Sequence, residues 1–245
     1  MTQIIGNGML ATAFKTGFKP KAGLLVFASG VSNSQENRPE AFAREAALLS
    51  EALKAQKFTL YFSSCSLEDP SLSSPYVAHK KAMEALVQSS RNYAIFRLPQ
   101  LVGKTENPNT LTNYLYQHIN SGTHFEVWRH AQRNLIDVED AVTIIEYLYS
   151  QELSKLKGAI TNIASPFSIS VKELIPIFEK ILNKKADFSL TEAGGSYTIN
   201  ADLSLESSKK IGISFDEFYI EKLIRKYYAV GAPLQRNNSC PANYL

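Results

Sequence analysis

Short apolar runs alternate with longer amphipathic segments along the chain. The apolar runs predict strands near residues 3–5, 23–28, 58–63, 93–97 and 158–163. The longer segments predict helices near residues 9–15, 39–56, 75–90, 108–121, 138–150 and 170–183. In the second of these helices, Phe42, Ala46, Leu49 and Leu53 form one apolar stripe, which is typical of a face packed on a sheet. Strands that alternate with helices of this length predict the α/β fold class, with a doubly wound parallel sheet covered on both faces.

Candidate acid–base residues follow the third predicted strand. Ser63 and Ser64 end its apolar run, and Tyr76 stands four residues before Lys80 at the start of an alanine-rich helix. Positions i and i+4 lie on one face of a helix, so the phenol and the ammonium can address one reaction centre. Because a nearby cation lowers the pKa of a tyrosine from about 10, the pair is suited to proton exchange with a carbinol or carbonyl. For this spacing taken alone, the alternative is an exposed helix face.

A glycine-rich turn joins the first predicted strand to the first predicted helix. Gly6, Gly8 and Ala11 form the pattern G-x-G-x-x-A, which lets the backbone approach a pyrophosphate at a helix N-terminus. With the serine, the tyrosine and the lysine in that order, the pattern resembles the short-chain dehydrogenase/reductase superfamily. Taken alone, the turn is equally compatible with an ordinary glycine-rich loop.

Three later segments resemble the extended branch of this superfamily, the NAD-dependent epimerase/dehydratase family, which modifies sugar nucleotides. Residues 94–103 resemble the strand and loop after the catalytic helix, residues 133–141 the signature R-x-hydrophobic-I-x-V-x-D-A, and residues 161–174 the late strand and its helix. The matches occur in family order along the chain. The resemblance implies an abbreviated Rossmann-like domain with a small C-terminal substrate lobe.

The resemblance also implies roles for individual residues. Ser64 would hold the sugar oxygen, Tyr76 would exchange a proton with it, and Lys80 would lower the pKa of Tyr76 and bind the nicotinamide ribose. The implied cofactor-binding residues are Gly6, Gly8, Met9, Leu10, Ala28, Ser29, Gly30, Ser63, Tyr76, Lys80 and Leu98. The implied substrate-binding residues are Gln100, Asn109, Asn113, Trp128 and Arg133.

Two of the substrate residues have a clear alternative. Arg133 would grip the diphosphate of a nucleoside diphosphate sugar with its fork of donors, and a surface or interdomain ion pair is the other interpretation. Trp128 would lie near the nucleotide base, and a core position is the other interpretation. Among neighbouring residues, we expect Cys65 at the edge of the core, His79 on the surface, and Asp137 and Asp140 bracing the fold.

The chain departs from the family pattern directly after its first helix. In the extended branch, a second strand ends there in the residue that reads the adenosine ribose, and a further helix and strand follow. Here only about seven residues separate the first helix from a strand at 23–28 that resembles the family's fourth, whereas one crossover to a parallel strand needs about a dozen. The adenosine half should therefore be abbreviated. Lys15, Lys19 and Lys21 are either solvated or contacts for a 2′-phosphate, which would favour NADP slightly over NAD.

Length and composition limit the other possibilities. The 245 residues suit one core with an appended lobe. We predict a core at 1–165 that includes a lobe segment near 104–130, a substrate lobe mainly at 166–230, and a mobile tail at 231–245.

The two cysteines form no disulfide framework or metal-ligand cluster, so we expect no metal and a reducing compartment. A net charge of +3 without a dense basic block argues against nucleic acid. No run is long enough to span a membrane and the start lacks the features of a signal peptide, so we expect a cytoplasmic protein.

The leading interpretation is an NAD(P)H-dependent reductase of a nucleotide-linked keto sugar, a 4-keto-6-deoxyhexose in polysaccharide precursor synthesis. An epimerase must keep its cofactor through oxidation and re-reduction, whereas a reductase takes a fresh one at each turnover, so a short adenosine half favours the reductase. Dehydration is disfavoured because Ser64, Cys65 and Ser66 offer neither of the two acids that it needs. A sugar-nucleotide 4-epimerase and a non-catalytic dinucleotide- or sugar-nucleotide-binding protein remain as alternatives. The resemblance further implies a homodimer built through the helices at 39–56 and 75–90.

Overall fold

Five parallel strands form the central sheet of the computed structural model, which describes residues 1–229. In spatial order they are β1 (Gln3–Ile5), β2 (Leu24–Phe27), β3 (Phe58–Ser64), β4 (Tyr93–Leu98) and β9 (Ile160–Asn162). Each of them was predicted from the sequence, and the α/β fold class is confirmed. The tail predicted at 231–245 lies outside the described residues.

Nine helices accompany the sheet within residues 1–229. They are α1 (Met9–Gly17), α2 (Pro39–Leu53), α3 (Pro75–Gln88), α4 (Leu111–Ser121), α5 (Val138–Gln151), α6 (Leu153–Leu156), α7 (Val171–Leu182), α8 (Asp202–Lys210) and α9 (Tyr219–Tyr228). Side-chain caps fix several starts: Ser74 accepts a hydrogen bond from Val77 N at α3, and Thr110 accepts one from Asn113 N at α4. Ser170 forms a capping box at the start of α7. None of the helices within this described range is both long enough and apolar enough to cross a bilayer.

The helices cover both faces of the sheet. Leu24 and Val26 of β2 face a core that contains Phe14 of α1 and Ile145 of α5. Phe27, on the other face of the same strand, packs with residues from α2 and α3. The alternation of side chains along a strand produces this division. The prediction of a sheet covered on both faces is therefore confirmed.

The connection through α1 has an unusual hand. The steps from β1 to β2, from β2 to β3 and from β3 to β4 all move in one direction across the sheet. However, α1 packs on one face, whereas α2 and α3 pack on the other. Two crossovers that move in the same direction on opposite faces have opposite hands, although about 98% of such crossovers share one hand. In a Rossmann fold, two further strands lie beyond β1; here, within residues 1–229, β1 pairs only with β2.

A second hydrophobic core lies beside the sheet, in the region that the sequence predicted as the substrate lobe. It is formed mainly by α4, α7 and α9 together with β6 (Phe125–Trp128), which pairs in parallel with β11 (Phe188–Thr191). Two more short pairs connect the lobe to the sheet: β5 (Gln100–Val102) with β8 (Leu135–Asp137), and β7 (Gln132–Arg133) with β10 (Ile169–Ser170). The sequence did not predict these pairs, nor α6, α8 and α9.

Asp137 and Asp140 fasten α9 to the start of α5. Tyr227 donates a hydrogen bond to Asp137 at 2.8 Å, and Lys226 pairs with the same carboxylate at 2.7 Å. Tyr219 donates to Asp140 at 2.8 Å. Both carboxylates therefore brace the fold, as the sequence predicted.

Candidate active site

The glycine-rich turn places two glycines in opposite situations. Gly6 has a φ of +134°, and a Cβ there would lie 2.2 Å from the carbonyl oxygen of Ala28. The two chain segments touch because Ala28 N donates to Ile5 O at 2.7 Å. Gly8, the N-cap of α1, has no atom within 4 Å of the place that an added methyl group would take. Gly6 therefore permits the close approach of two backbones, whereas Gly8 leaves open space before the helix N-terminus, where an anion is stabilised.

The predicted catalytic side chains converge at the carboxyl ends of β3 and β4. Ser64 ends β3 and accepts a hydrogen bond from Ser66 N at 3.2 Å. The cap of α3 holds Tyr76 in the first turn of that helix, and a side-chain hydrogen bond joins Ser64 to Tyr76. Lys80 Nζ lies 5.9 Å from the ring centroid of Tyr76. The structure thus brings the three residues together.

The pKa of Tyr76 is raised and not lowered as the sequence predicted. Burial raises the pKa of Tyr76 to about 12; the hydrogen bond from Ser64 lowers it, and the Glu45 carboxylate raises it. Only 6% of Tyr76 is exposed, so the charged phenolate is disfavoured by desolvation. The phenol therefore keeps its proton at neutral pH.

A buried carboxylate that the sequence reasoning missed lies at the centre of this site. Glu45 of α2 is fully buried and accepts hydrogen bonds from Val31 N at 2.6 Å and Tyr61 Oη at 2.7 Å. It also pairs with Lys80 at 3.2 Å and with His79 Nε2 at 2.9 Å. His79 is buried, and the expectation of a surface histidine is wrong. One signal was present in the sequence, because Glu45 stands beside the apolar stripe of its helix.

The predicted cofactor-facing loop rests directly on this carboxylate. A Cβ at Gly30 would lie 2.8 Å from Lys80 Nζ and 2.9 Å from Glu45 Oε1. Ala28 and Ser29 are half-buried, and Arg44 donates to the Ser29 carbonyl at 3.1 Å and to its hydroxyl at 3.3 Å. The loop, α2 and α3 therefore form one packed unit.

The remaining predicted cofactor residues surround the same sheet edge. The side chain of Met9 packs on Gly103, where an added Cβ would lie 2.7 Å from its sulfur, and Leu10 is half-buried beside the sheet core. Leu98 is buried and pairs in register with Ser64. The hydroxyl of Ser63 is buried and has no hydrogen-bond partner within residues 1–229. Ser64, and not Ser63, is the serine that contacts Tyr76.

Cys65 lies at the edge of the core, as expected. Its side chain is buried and donates to the carbonyl oxygen of Arg97 at 3.3 Å. Burial raises the pKa of the thiol, with a further contribution from Glu68. A protonated, buried thiol is a poor nucleophile.

Arg133 lies in β7 without a carboxylate partner in the described part of the chain. Its guanidinium donates to the carbonyl oxygen of Gln132 at 2.8 Å, and the ion pairs within residues 1–229 do not include it. Burial lowers the pKa of Arg133, and the phenol of Tyr197 opposes this change. A half-buried cation without an acid is suited to an anionic ligand.

Tyr197 is a second residue that the sequence reasoning missed. Burial raises its pKa to about 12, and Cys65, Arg133 and Tyr76 are close enough to shift it. It belongs to the segment 192–200, which backbone hydrogen bonds from His130 N to Ala193 O at 3.1 Å and from Gln132 N to Gly195 O at 3.2 Å hold against the lobe. The phenol therefore lies between the acid–base residues and Arg133. Only the two consecutive glycines marked this segment in the sequence.

The other predicted substrate residues differ in what they can contact. Asn113 is 1% exposed; its amide donates to the carbonyls of residues 105 and 107 and accepts from Tyr228 at 2.6 Å. This amide shapes the loop and has no atom left for a ligand. Asn109 has a buried side-chain oxygen with no partner within residues 1–229. Gln100 is half-buried in β5, and Trp128 packs against the lobe core.

Comparisons with known proteins agree with this architecture. A model of the NAD dependent epimerase/dehydratase family matches residues 12–164, and a comparison with curated proteins gives no match. UDP-glucuronic acid 4-epimerase from Bacillus cereus, solved with UDP-glucuronic acid and NAD, is 15% identical with a TM-score of 0.69, over 91% of this chain and 77% of that chain. RMD from Pseudomonas aeruginosa, complexed with NADPH, is 20% identical with a TM-score of 0.60, over 83% of this chain and 79% of that chain. UDP-glucose 4-epimerase from Thermus thermophilus, complexed with NAD, is 15% identical with a TM-score of 0.63, over 83% of this chain and 75% of that chain.

Proposed function

The chain belongs to the NAD dependent epimerase/dehydratase family, and from that premise we propose that it is an NAD(P)H-dependent reductase of a keto sugar linked to a nucleoside diphosphate. The sugar class is a 4-keto-6-deoxyhexose, used as a precursor in polysaccharide synthesis. The family membership supports a nicotinamide dinucleotide cofactor and a sugar-nucleotide substrate. The direction of the reaction is the part that rests on this chain's own residues.

The convergence of Ser64, Tyr76 and Lys80 at the carboxyl ends of β3 and β4 carries the proposal. Burial raises the pKa of Tyr76 to about 12, which favours the neutral phenol at pH 7. Carbonyl reduction needs a proton delivered to the oxygen, which a neutral phenol can supply, whereas an epimerase must first remove a proton from a hydroxyl. Ser64, which is hydrogen-bonded to Tyr76, would hold the same oxygen. A bound reduced nicotinamide would supply the hydride.

The residues present fit a dinucleotide. The open N-terminus of α1 at Gly8 is suited to the pyrophosphate. The hydroxyl of Ser63 is buried without a partner within residues 1–229, and Gly30 packs against Lys80, which would hold the nicotinamide ribose. The short adenosine half supports release of the cofactor after each turnover, as a reductase requires.

The cofactor proposed is NADP in preference to NAD. Lys15 Nζ donates to the Gly6 carbonyl at 3.1 Å, and Arg44 donates to Ser29. Both cations therefore lie next to the carboxyl ends of β1 and β2. Within residues 1–229, neither forms an ion pair with an acid. Positive charge at this position favours a ligand with an added phosphate.

Binding and turnover measurements test the proposal together. Fluorescence titration with NADPH and NADH measures cofactor affinity, and loss of absorbance by NADPH measures turnover with UDP-, GDP- and dTDP-linked 4-keto-6-deoxyhexoses. A reductase oxidises one NADPH for each sugar reduced, and we expect the rate to be flat from about pH 6 to about pH 9 because Tyr76 stays protonated. Failure of every dinucleotide to bind would refute the proposal.

A sugar-nucleotide 4-epimerase is the second candidate, because two of the structurally similar proteins are 4-epimerases. An epimerase converts its sugar without net consumption of NADPH. Its rate would also rise with pH as the phenol of Tyr76 loses its proton. The same assay therefore separates the two candidates.

Arg133 is proposed to bind the diphosphate of the substrate. We expect Arg133→Ala to raise KM for the nucleotide sugar by roughly 10-fold to 100-fold, with a smaller change in kcat, because a charge-assisted contact made in both ground and transition states is lost. Arg129→Ala, at an exposed arginine paired with Glu192, serves as the control and should leave KM within about 2-fold. An unchanged KM in Arg133→Ala would exclude this role.

A homodimer and a cytoplasmic location complete the proposal. Small or apolar side chains are exposed on the two helices expected to form the interface: Ala43, Ala47 and Leu48 on α2, and Ala78 and Ala82 on α3. Such a surface allows close helix packing. Sedimentation velocity measures the mass in solution, and a monomer at all concentrations would exclude the dimer.

A further inference from the structure

Lys80 is buried to an extent that is unusual for a charged side chain. It is 2% exposed, and its ammonium lies between α2, α3 and the loop after β2. A lysine removed from water in this way tends to lose its proton unless an opposite charge is near. Burial lowers the pKa of Lys80, and the Glu45 carboxylate opposes this fall.

We infer that Glu45 is the buried counter-ion and positioning residue of Lys80, which keeps the lysine charged and fixed against the loop that faces the nicotinamide ribose. The inference rests on the proposed function only for the identity of the ribose ligand. Glu45 is fully buried, and its two oxygens accept from Val31 N, Tyr61 Oη and the His79 ring. It acts through Lys80.

The contacts of Glu45 support both parts of this role. Its oxygens lie 3.2 and 3.4 Å from Lys80 Nζ, close enough for a direct ion pair. The same carboxylate accepts from Val31 N at 2.6 Å, which ties the end of the loop to the lysine. Gly30 leaves the space between them open, because a Cβ there would lie under 3 Å from both charged groups.

Other titratable groups surround the pair from every packed element. They are Tyr61 of β3 and His79, Tyr76 and Glu84 of α3. Glu84 also raises the pKa of Lys80, but its carboxylate is held by two hydrogen bonds from Arg97 at 2.9 and 2.8 Å. Glu45 is therefore the acid that directly contacts Lys80.

Glu45→Gln removes the negative charge of the pair with little change in the shape of the side chain. In [¹³C]lysine-labelled protein without cofactor, the Cε resonance of Lys80 is identified by its loss in Lys80→Met. We expect Lys80 to bind its proton at least about 100-fold more weakly in Glu45→Gln than in the wild type, because the buried ammonium has lost its counter-charge. Glu45→Asp keeps the charge and should recover most of the difference. An unchanged Lys80 titration in folded Glu45→Gln would overturn the inference.

NADPH binding provides a second readout that a purely structural role would not move. The wild type should bind NADPH equally from about pH 6 to about pH 9. The affinity of Glu45→Gln should approach the wild-type value at the lower pH and fall roughly 10-fold as the pH rises, since the lysine becomes neutral and donates a weaker hydrogen bond. An equal loss at every pH would count against the inference. Glu51→Gln, at an exposed site on the same helix, should change neither readout.

Two outcomes separate this inference from the proposed function. If the wild type binds neither NADPH nor NADH, the proposed function fails, while the lysine resonance still tests the pair. If Glu45→Gln does not fold, the double variant Glu45→Gln/Lys80→Met removes the unpaired charge, as neutral replacements of buried pairs often do without loss of stability. Folding of the double variant supports the inference, and a double variant that stays unfolded overturns it.

Discussion

The two ends of one sheet edge differ sharply in how they are built. At the catalytic end, Glu45, Tyr76 and Lys80 are at most 6% exposed; Glu45 pairs with Lys80, and Tyr76 is hydrogen-bonded to Ser64. At the adenosine end, β1 has one strand partner within the described chain, and the cations Lys15 and Arg44 are exposed. The buried end can fix a proton donor and a charge in one geometry, as chemistry requires. The exposed end can contribute only weak, screened contacts, as cofactor exchange allows.

The largest effect on turnover is expected from a substitution that changes the catalytic end alone. Tyr76→Phe should reduce kcat by on the order of 10³-fold, because the proton donor is lost while the ring still fills its place. NADPH affinity and the KM for the nucleotide sugar should stay within about 2-fold of the wild type. Steady-state kinetics and fluorescence titration measure these quantities. Tyr93→Phe, at the opposite end of β4, is the matched control; equal turnover in Tyr76→Phe would remove the phenol from the mechanism.

A pair of glycine substitutions tests whether the adenosine end has a structural part and a binding part. Gly6→Ala should lower the free energy of unfolding by about 3 kcal/mol or more, because the methyl group would overlap the Ala28 carbonyl and the φ of +134° is unfavourable for alanine. Gly8→Ala should change it by about 1 kcal/mol or less, since nothing lies within 4 Å. Urea denaturation measures both.

The same pair should show the reverse order in cofactor binding. In Gly8→Ala, the methyl group occupies the space before the N-terminus of α1, and we expect NADPH affinity to fall roughly 10-fold. Equal NADPH affinity in Gly8→Ala and the wild type would mean that the pyrophosphate does not lie there. Equal stability of Gly6→Ala and the wild type would contradict the close approach of the two backbones.

The sheet and its main helices could be predicted because their signals are local. The apolar runs were bounded by turn residues, and caps such as Ser74 mark helix starts in the sequence itself. The absence of the family's second and third strands could be predicted because the segment between the first helix and the strand at 23–28 is too short to hold them. The short pairs of the lobe escaped because two to four residues carry no periodicity. In α9 an apolar spacing was present at Ile220, Leu223 and Ile224, but its charged residues obscured it.

The candidate site was predictable only in its parts that are close in sequence. Tyr76 and Lys80 share a helix, so their spacing fixed their relation. Glu45 meets Lys80 across 35 residues, and which side of α2 faces α3 depends on packing that no local pattern specifies. The pKa of Tyr76 is raised and not lowered as predicted, because burial and the nearby Glu45 carboxylate both disfavour the phenolate. Burial by residues that are distant in sequence therefore sets the protonation state of Tyr76, which the proposed direction of the reaction uses.

The smallest expected effect concerns the two exposed cations at the adenosine end. Arg44→Ala and Lys15→Ala should each weaken NADPH binding by roughly 2-fold to 5-fold and leave NADH binding unchanged, because exposed charge pairs contribute little and only NADPH carries the 2′-phosphate. The difference should shrink as salt is added, since the interaction is screened. Lys19→Ala and Lys21→Ala are matched controls, because within residues 1–229 the side chains of Lys15 and Arg44 donate to Gly6 and Ser29, whereas only the backbone groups of Lys19 and Lys21 are bonded, to Glu146 and Thr2. Fluorescence titration of both cofactors measures the affinities of the four variants.

Two outcomes would change the interpretation of these cations. If all four substitutions weaken NADPH binding equally, the cations act only through overall charge. If Arg44→Ala weakens NADH binding as much as NADPH binding, Arg44 holds a phosphate that both cofactors share, and the adenosine end contributes to retention of either cofactor.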